Sequence, residues 1–275
     1  MASNVIDHPY REFEHSGWER AAPSYAGSFE AATGLFAFSL LESVGIRKHM
    51  DLLDVACGTG LVASMAAEHG AAAIGVDFSS KMIAAASQRY PALQLHEADA
   101  EALPFSDGVF DAVVINFGVH HFPFPLRALS EAHRVLRANG RVAFTVWAAP
   151  DEHSLHKITL GALREAGVSG AALPTAPGGV VNDIASCLDL LRMSGFSVPH
   201  SRAEKIVASL WLDSEQHLID MLVDGTVRMS TLIRTQTREK TAAIIAAIRM
   251  TAVAYREDGR LRIPVTAILA VGSKA

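Results

Sequence analysis

The sequence predicts an α/β protein with a mostly parallel sheet and helices on both faces. Three observations predict it. Short apolar runs alternate with helical periodicity from about residue 50 to 147. Several runs are apolar at consecutive rather than alternate positions, as strands buried on both faces are. The first run ends in Cys57-Gly58-Thr59-Gly60 and a helix pattern follows it, which reads as strand, tight turn and helix.

The elements follow in order. Residues 1–49 read as helical and irregular, with Leu35, Phe38 and Leu41 near helical spacing within 31–44. Residues 52–56 are the first strand. Residues 61–69 predict a helix that Gly70 stops. Residues 72–77 are the second strand, and Ser79 can cap a helix running to Arg89, with Pro91 beyond it. Residues 93–96 and 110–116 give the third and fourth strands. Residues 126–137 are amphipathic, Asn139-Gly140 ends that helix, and 141–147 are the fifth strand. Beyond Pro150, residues 153–166 predict a helix and 167–179, rich in Gly and Pro, a loop. Asn182 caps a helix with Ile184, Leu188 and Leu191 on one face and Gly195 past its end. Residues 201–210 are a sixth strand. Asp213 and Gln216 resemble a capping box. Residues 237–257 predict a long helix and 263–271 the last strand.

Composition narrows the function classes. The chain has 275 residues, half of them apolar, and a net charge of −5. That is enough apolar material for a sizeable core. No basic footprint for nucleic acid is visible. No run of Lys or Arg suits a membrane surface, and no apolar stretch reaches the length of a membrane span. Cys57 and Cys187 are the only cysteines, which excludes a disulfide-built fold. The first residues show no signal-peptide pattern, so the expected compartment is the cytoplasm.

The chemistry concentrates at the ends of the strands. Gly58 and Gly60 let a ligand approach the backbone, and the helix after them presents free N–H groups. Gly58-x-Gly60-x-x-Ala63 with Asp77 also fits a dinucleotide fingerprint. Asp54 separates the two readings. A carboxylate under the glycine turn repels a pyrophosphate and attracts a cationic amino group. It can also simply anchor the turn.

Leu53-Asp54-Val55-Ala56-Cys57-Gly58-Thr59-Gly60 resembles the first motif of class I S-adenosylmethionine-dependent methyltransferases. The resemblance is closest to the group with the ubiquinone/menaquinone C-methyltransferases and many small-molecule tailoring enzymes. It continues in order through Gly75-Val76-Asp77-Phe78-Ser79 to Met82, and through Ala98-Asp99-Ala100-Glu101-Ala102-Leu103-Pro104-Phe105. Phe110-Asp111 and His133-Arg134-Val135-Leu136 through Gly140-Arg141 complete it. It covers about residues 50–147.

The resemblance implies a Rossmann-like, seven-stranded sheet with its last strand antiparallel, and S-adenosyl-L-methionine as cofactor. It implies one domain over 1–275, with N-terminal lid helices at 1–49 and a cofactor half at 50–147. Residues 148–275 would complete the sheet, with a helical substrate lid at about 213–257. Asp54 would lie near the methionine amino group, through the turn backbone or water. Ala56, Gly58 and Gly60 would shape the methionine pocket. Asp77 would accept the ribose hydroxyls, Phe78 and Met82 would sandwich the adenine, and Asp99 and the Ala100 N–H would bind its edge. Asn116 would face the methionine portion. Trp18, Tyr25, Phe117 and Trp147 are the aromatic candidates for the sulfonium, and Tyr25 is the favoured contact.

The expected reaction is methyl transfer to O, N or C of a small or medium organic acceptor with apolar bulk. His120 and His121, after the fourth strand, are the candidate bases, His121 preferred. His153 and His156 lie three apart on a helix, but spacing places no further ligand beside them, so no metal is expected. The alternatives are an NAD-dependent oxidoreductase of Rossmann type and a non-catalytic S-adenosylmethionine-binding protein. No nucleic-acid partner and no membrane insertion are expected. The oligomeric state stays open between monomer and homodimer.

Overall fold

A computed structural model describes residues 8–169 and 173–275. Part of the loop predicted at 167–179 (residues 170–172) and the first seven residues lie outside them. Among the described residues one mixed sheet dominates. Its strands are β1 Asp51–Val55, β2 Ala72–Asp77, β3 Gln94–Glu97, β4 Phe110–Asn116, β5 Leu136–Trp147, β6 Arg202–Leu212, β7 Arg256–Glu257 and β8 Arg260–Ser273. They run in the order β3-β2-β1-β4-β5-β8-β6, with the two-residue β7 paired to β8. β1 to β5 are parallel; β8 is antiparallel to β5 and to β6. The order reverses between β1 and β4. In open α/β sheets a ligand crevice forms there, outside the carboxyl ends of the strands.

The consecutive apolar runs have a direct cause. Leu53, Val113 and Ile115 face one layer with Leu129, Ala132 and Val135 of helix α6 (Pro125–Val135). Their neighbours Leu52, Ala112 and Val114 face the opposite layer. That layer holds Leu40 and Leu41 of α3 (Ala37–Ser43) and Val62 and Ala66 of α4 (Leu61–Glu68). A third apolar cluster packs on the far half of β6 and β8. It joins α7 (Ser154–Glu165), α9 (Glu215–Asp224) and α11 (Arg238–Ala252) through Ile158, Leu218, Ile244 and Ile248. The remaining helices are α1 Pro9–Tyr25, α2 Glu30–Thr33, α5 Ser80–Arg89, α8 Ile184–Met193 and α10 Arg228–Arg234.

Several boundaries differ from the sequence reading, each for a local reason. The 31–44 segment is two helices with a 3-10 turn between them, and Leu35 and Phe38 are exposed. α6 stops at Val135, because Leu136 already pairs with Phe110 across an irregular stretch in which Asn139 takes a left-handed φ of 63°. Asp183, not Asn182, caps α8, in a reciprocal pair with Ser186. Ser214, not Asp213, caps α9 by accepting from the His217 N–H. α11 ends at Ala252, and residues 256–257 turn back to pair with β8 instead of extending the helix. No helix among the described residues is long and apolar enough to cross a membrane.

Candidate active site

The β1 turn is built on left-handed backbone. Ala56, Gly58 and Gly60 have φ of 56°, 53° and 84°. At the carboxyl end of β4, Phe117 is also left-handed, with φ 57°. Positive φ in non-glycine residues is strained and concentrates at functional sites. Gly118 lies against Ala56 so closely that a Cβ there would sit 2.8 Å from the alanine methyl. The two strand ends thus approach with no room to spare.

A cleft of about 700 Å³ opens between them. Tyr25, Ala56, Gly58, Asp77, Phe78, Met82, Asp99, Ala100 and Asn116 all line it, as do Trp18, Phe117 and His121. Asp77 caps the end of β2. Its two oxygens accept from the Gly58 and Ser79 N–H groups, each at 2.9 Å. Burial pushes its carboxyl up to about 6, and the two N–H bonds oppose that rise. Ser79 in turn caps α5 through the Met82 N–H and donates to Glu19 at 2.6 Å. Asn116 is already engaged: its oxygen accepts from Thr145 and its amide donates to the Thr33 carbonyl.

Three expected site residues, Asp54, Gly60 and His120, do not line this cleft. Asp54 is buried beneath the turn, where one oxygen accepts from the Ala63 N–H at 2.9 Å and anchors α4. Its other oxygen is buried without a partner, and burial pushes the carboxyl up to about 8. Gly60 turns away from the cleft. A Cβ on it would meet Tyr90 and Ala86, so its lack of a side chain lets the end of α5 pack against the turn. His120 faces a second cavity.

That cavity is larger, about 1820 Å³, and mostly apolar. Phe29, Trp147, Leu155, Leu163, Leu222 and Leu232 wall it, together with His120, His153 and His156. Trp147 is buried, stacks on Phe117 at 3.9 Å and meets His153 at 4.5 Å. Arg228 reaches the cavity but donates to the Pro174 carbonyl, and Arg234 pairs with Asp224. Among the described residues no group of three His, Cys, Asp or Glu is placed to hold a metal ion.

Trp18 and His121 line both cavities. Sequence reasoning expected lid helices at 1–49 but missed the side chains by which helix α1 is held there. Pro9 starts α1, and the His8 ring caps it through the Tyr10 N–H. Its Glu14 is 2% exposed and meets His121 Nδ1 at 2.8 Å. Its Arg11 pairs with Asp99 and with Glu101. Its Tyr10 donates to the His120 carbonyl at 3.0 Å. Glu19 ties it to Ser79 after β2. These partners lie 60 to 110 residues away, so no local pattern announces them.

Residues 53–144 match the family described as "Methyltransferase domain". This segment, a third of the chain, is similar to a methyltransferase domain. The demethylmenaquinone methyltransferase of Beutenbergia cavernae is 37% identical over 116 residues, 42% of this chain and 48% of that protein. The chain therefore spans about half the length of this curated relative. Similar solved structures agree in fold at low identity. Phosphoethanolamine N-methyltransferase 2 of Haemonchus contortus, in complex with phosphomonomethylethanolamine and S-adenosylhomocysteine, has a TM-score of 0.56 at 16% identity. That match covers 99% of this chain and 61% of the other. The [4+2]-cyclase SpnF has a TM-score of 0.51 at 19% identity, covering 87% of this chain and 80% of that one. The methyltransferase-domain segment, 53–144, contains the β1 turn, Asp77, Asp99 and His121. Arg11, Glu14, Trp18 and Tyr25 fall outside it.

Proposed function

We propose that the chain transfers a methyl group from S-adenosylmethionine to a small or medium organic acceptor, at O, N or C. The carrying observation is that a cleft with charged and aromatic walls and a larger apolar cavity share Trp18 and His121. Methyl transfer joins two bound molecules, so it needs two adjoining sites. The chain is one domain in this reading, and α1 is its lid over the cofactor.

The cleft residues suit the cofactor. Asp77 keeps lone pairs beyond its two backbone bonds and would accept the ribose hydroxyls. Phe78, Met82 and the Ala100 N–H would hold the adenine. Arg11 occupies Asp99, so the purine amino group would share that carboxylate with a guanidinium. Trp18, Tyr25 and Phe117 offer faces to a cation, and Asp54 would act on the methionine amino group through the turn. When bound, S-adenosylmethionine supplies an electrophilic methyl group on a sulfonium.

The protein's own part is positioning, exclusion of water and one proton. Glu14 would receive the His121 Nδ1–H and leave Nε2 free to take a proton from the acceptor. Glu14 is a positioning residue in this scheme. Trp18, edge-on to His121 at 4.9 Å, holds the ring from the other side.

Two other readings remain outcomes of the test. One is an NAD-dependent oxidoreductase. The other is a chain that binds S-adenosylmethionine without transferring its methyl group. The second gains weight because a [4+2]-cyclase shares the fold, and fold alone does not fix chemistry. S-adenosylhomocysteine at about 100 times its Kd should add about 2.7 kcal/mol of stability, several degrees of Tm. Stabilisation by NAD and not by S-adenosylhomocysteine would overturn the proposal. Binding without any methylated product from a metabolite extract would leave the non-catalytic reading.

A further inference from the structure

A buried carboxylate that does not line the cleft holds the glycine turn. Thr59 lies between Gly58 and Gly60, and its buried hydroxyl donates to Glu30 Oε2. The other oxygen, Glu30 Oε1, accepts from Arg89, at the end of α5, at 2.6 Å. Glu30 is the first residue of α2 and is itself buried. Buried charges persist where they are paired and hydrogen-bonded, and Glu30 is both. The same four-residue helix reaches two residues of the cleft wall. The Thr33 hydroxyl lies 3.1 Å from the Tyr25 hydroxyl, and the Thr33 carbonyl accepts from the Asn116 amide at 3.2 Å. Gly34 follows, where a Cβ would lie 2.9 Å from the side chain of Leu61, the first residue of α4. The β1 turn, the end of β4 and Tyr25 are therefore all tied to α2.

We propose that Glu30 is a positioning residue for the cofactor and acts through Thr59. The inference rests on the reading of the cleft as the cofactor site. Ala56, Gly58 and Gly60 are left-handed, and backbone in such a conformation persists only where its surroundings over-determine it. Asp77 fixes the turn at the Gly58 N–H. The Thr59 hydroxyl is a second point of attachment, one residue on, and Glu30 holds it. With both points held, the turn is ordered before a ligand arrives. Without Glu30, part of that ordering falls to the ligand and lowers its affinity. Arg89 braces the carboxylate from α5, the helix that carries Met82 of the cleft wall. The network thus links the turn to the wall proposed for the adenine. A residue that only stabilised the fold would act differently. Its loss would lower Tm and leave the affinity of the folded chain unchanged.

The test is calorimetry on the full chain with S-adenosylhomocysteine, at a temperature where every variant is folded. Thr59→Val removes the hydroxyl, and Glu30→Met removes both acceptors while keeping the length of the side chain. Each should weaken binding by about tenfold, the effect of about 1.4 kcal/mol. Thr59→Ser keeps a hydroxyl and should bind as the wild type does. In the Glu30→Met/Thr59→Val double variant the two losses should not add, because both remove the same interaction. Unchanged affinity in the single variants, an equal loss in Thr59→Ser, or additive losses would overturn the proposal. If Glu30→Met does not fold, the contrast between Thr59→Val and Thr59→Ser decides alone. Failure of the wild type to bind S-adenosylhomocysteine would overturn the cofactor reading and this inference together. Wild-type binding that both single variants match would overturn this inference alone.

Discussion

The small cleft and the large cavity meet at Trp18 and His121 but are made of different material. The cleft is made mainly of turns. Its Asp77 and Asn116 are fixed by hydrogen bonds to backbone and to Thr145, and its walls lie at the ends of β1, β2 and β4. The cavity is made largely of helix side chains from α7, α9 and α10, with four imidazoles in its lining. One region is polar, strained and rigidly specified. The other is apolar and specified by volume. A fixed ligand suits the first, and a changeable one suits the second.

The sharpest way to break this comparison is at the junction. His121→Ala should lower turnover by about 10²- to 10⁴-fold, the usual contribution of a general base. S-adenosylhomocysteine affinity should change by no more than a small factor. Glu14→Gln should cost less, because the imidazole keeps its position and loses only the charge beside it. Turnover assays of both variants with the first identified acceptor, alongside calorimetry, check the order. Retained turnover in His121→Ala would remove the base and leave positioning alone.

The next effect tests the cleft by itself. Asp77→Ala should weaken S-adenosylhomocysteine by about a hundredfold, since hydrogen bonds to a charged group contribute about 1.5–3 kcal/mol each. The wild type carries a pH signature as well. Burial raises the Asp77 carboxyl to about 6, and ligand hydroxyls bind its ionised form. Affinity should be level above pH 6 and fall below it by up to about tenfold per pH unit. Titrations from pH 5 to 8 would show it, and Asp77→Asn should be weak and flat throughout.

These two regions were not equally legible in the sequence. Asp77 and Ser79 bond backbone groups no more than 19 residues away, so order along the chain carries their arrangement. The strand layers were legible for the same reason, because Leu52 and Leu53 face opposite cores whatever lies far away. The packing of Ala86 and Tyr90 against Gly60 was not legible, because a glycine that admits a ligand and one that admits a helix look alike. Glu14 and Arg11 were missed because their partners come from the segments after β3 and β4, about 88 to 107 residues on. Only tertiary packing makes that pairing. The imidazole wall was invisible for the same reason. His153 and His156 show a helix spacing, but nothing local says that His120 lines the same cavity.

Helix α1 links the two regions, and its packing offers a further test. A Cβ on Gly17 would lie 2.2 Å from Val227 Cγ1, and Val227 lines the large cavity. Gly17→Ala should destabilise the chain by about 1–3 kcal/mol through overpacking. It should also weaken ligands in both sites, since α1 carries Trp18 and Glu14. Adding Val227→Ala should recover much of the loss. Melting curves for the single and double variants separate a steric cause from a general weakness of α1.

The smallest effect concerns Asp54, which belongs to the cleft's foundation rather than its wall. Its burial, with Asp77 adding like charge, raises the carboxyl to about 8, and the Ala63 N–H offsets only part of that. A carboxyl raised in the folded state gives stability that is complete below its unfolded pKa. That stability is lost as pH rises through the folded value. Asp77 shows the same trend but finishes near 6. The buried His120, His153 and His156, held below their ordinary range, act in the opposite sense in wild type and variant alike. Between pH 6 and 8 the difference between wild type and an Asp54 variant therefore reports Asp54, at no more than about 1.4 kcal/mol per pH unit. Asp54→Asn keeps an oxygen for the Ala63 N–H and cannot ionise. Without ligand, the wild-type Tm should fall by a few degrees relative to the Asp54→Asn Tm from pH 6 to 8. Parallel curves would mean that Asp54 is already ionised at pH 6. The turn would then rest on a buried charge, and the cleft would carry a resident anion before any cation arrives.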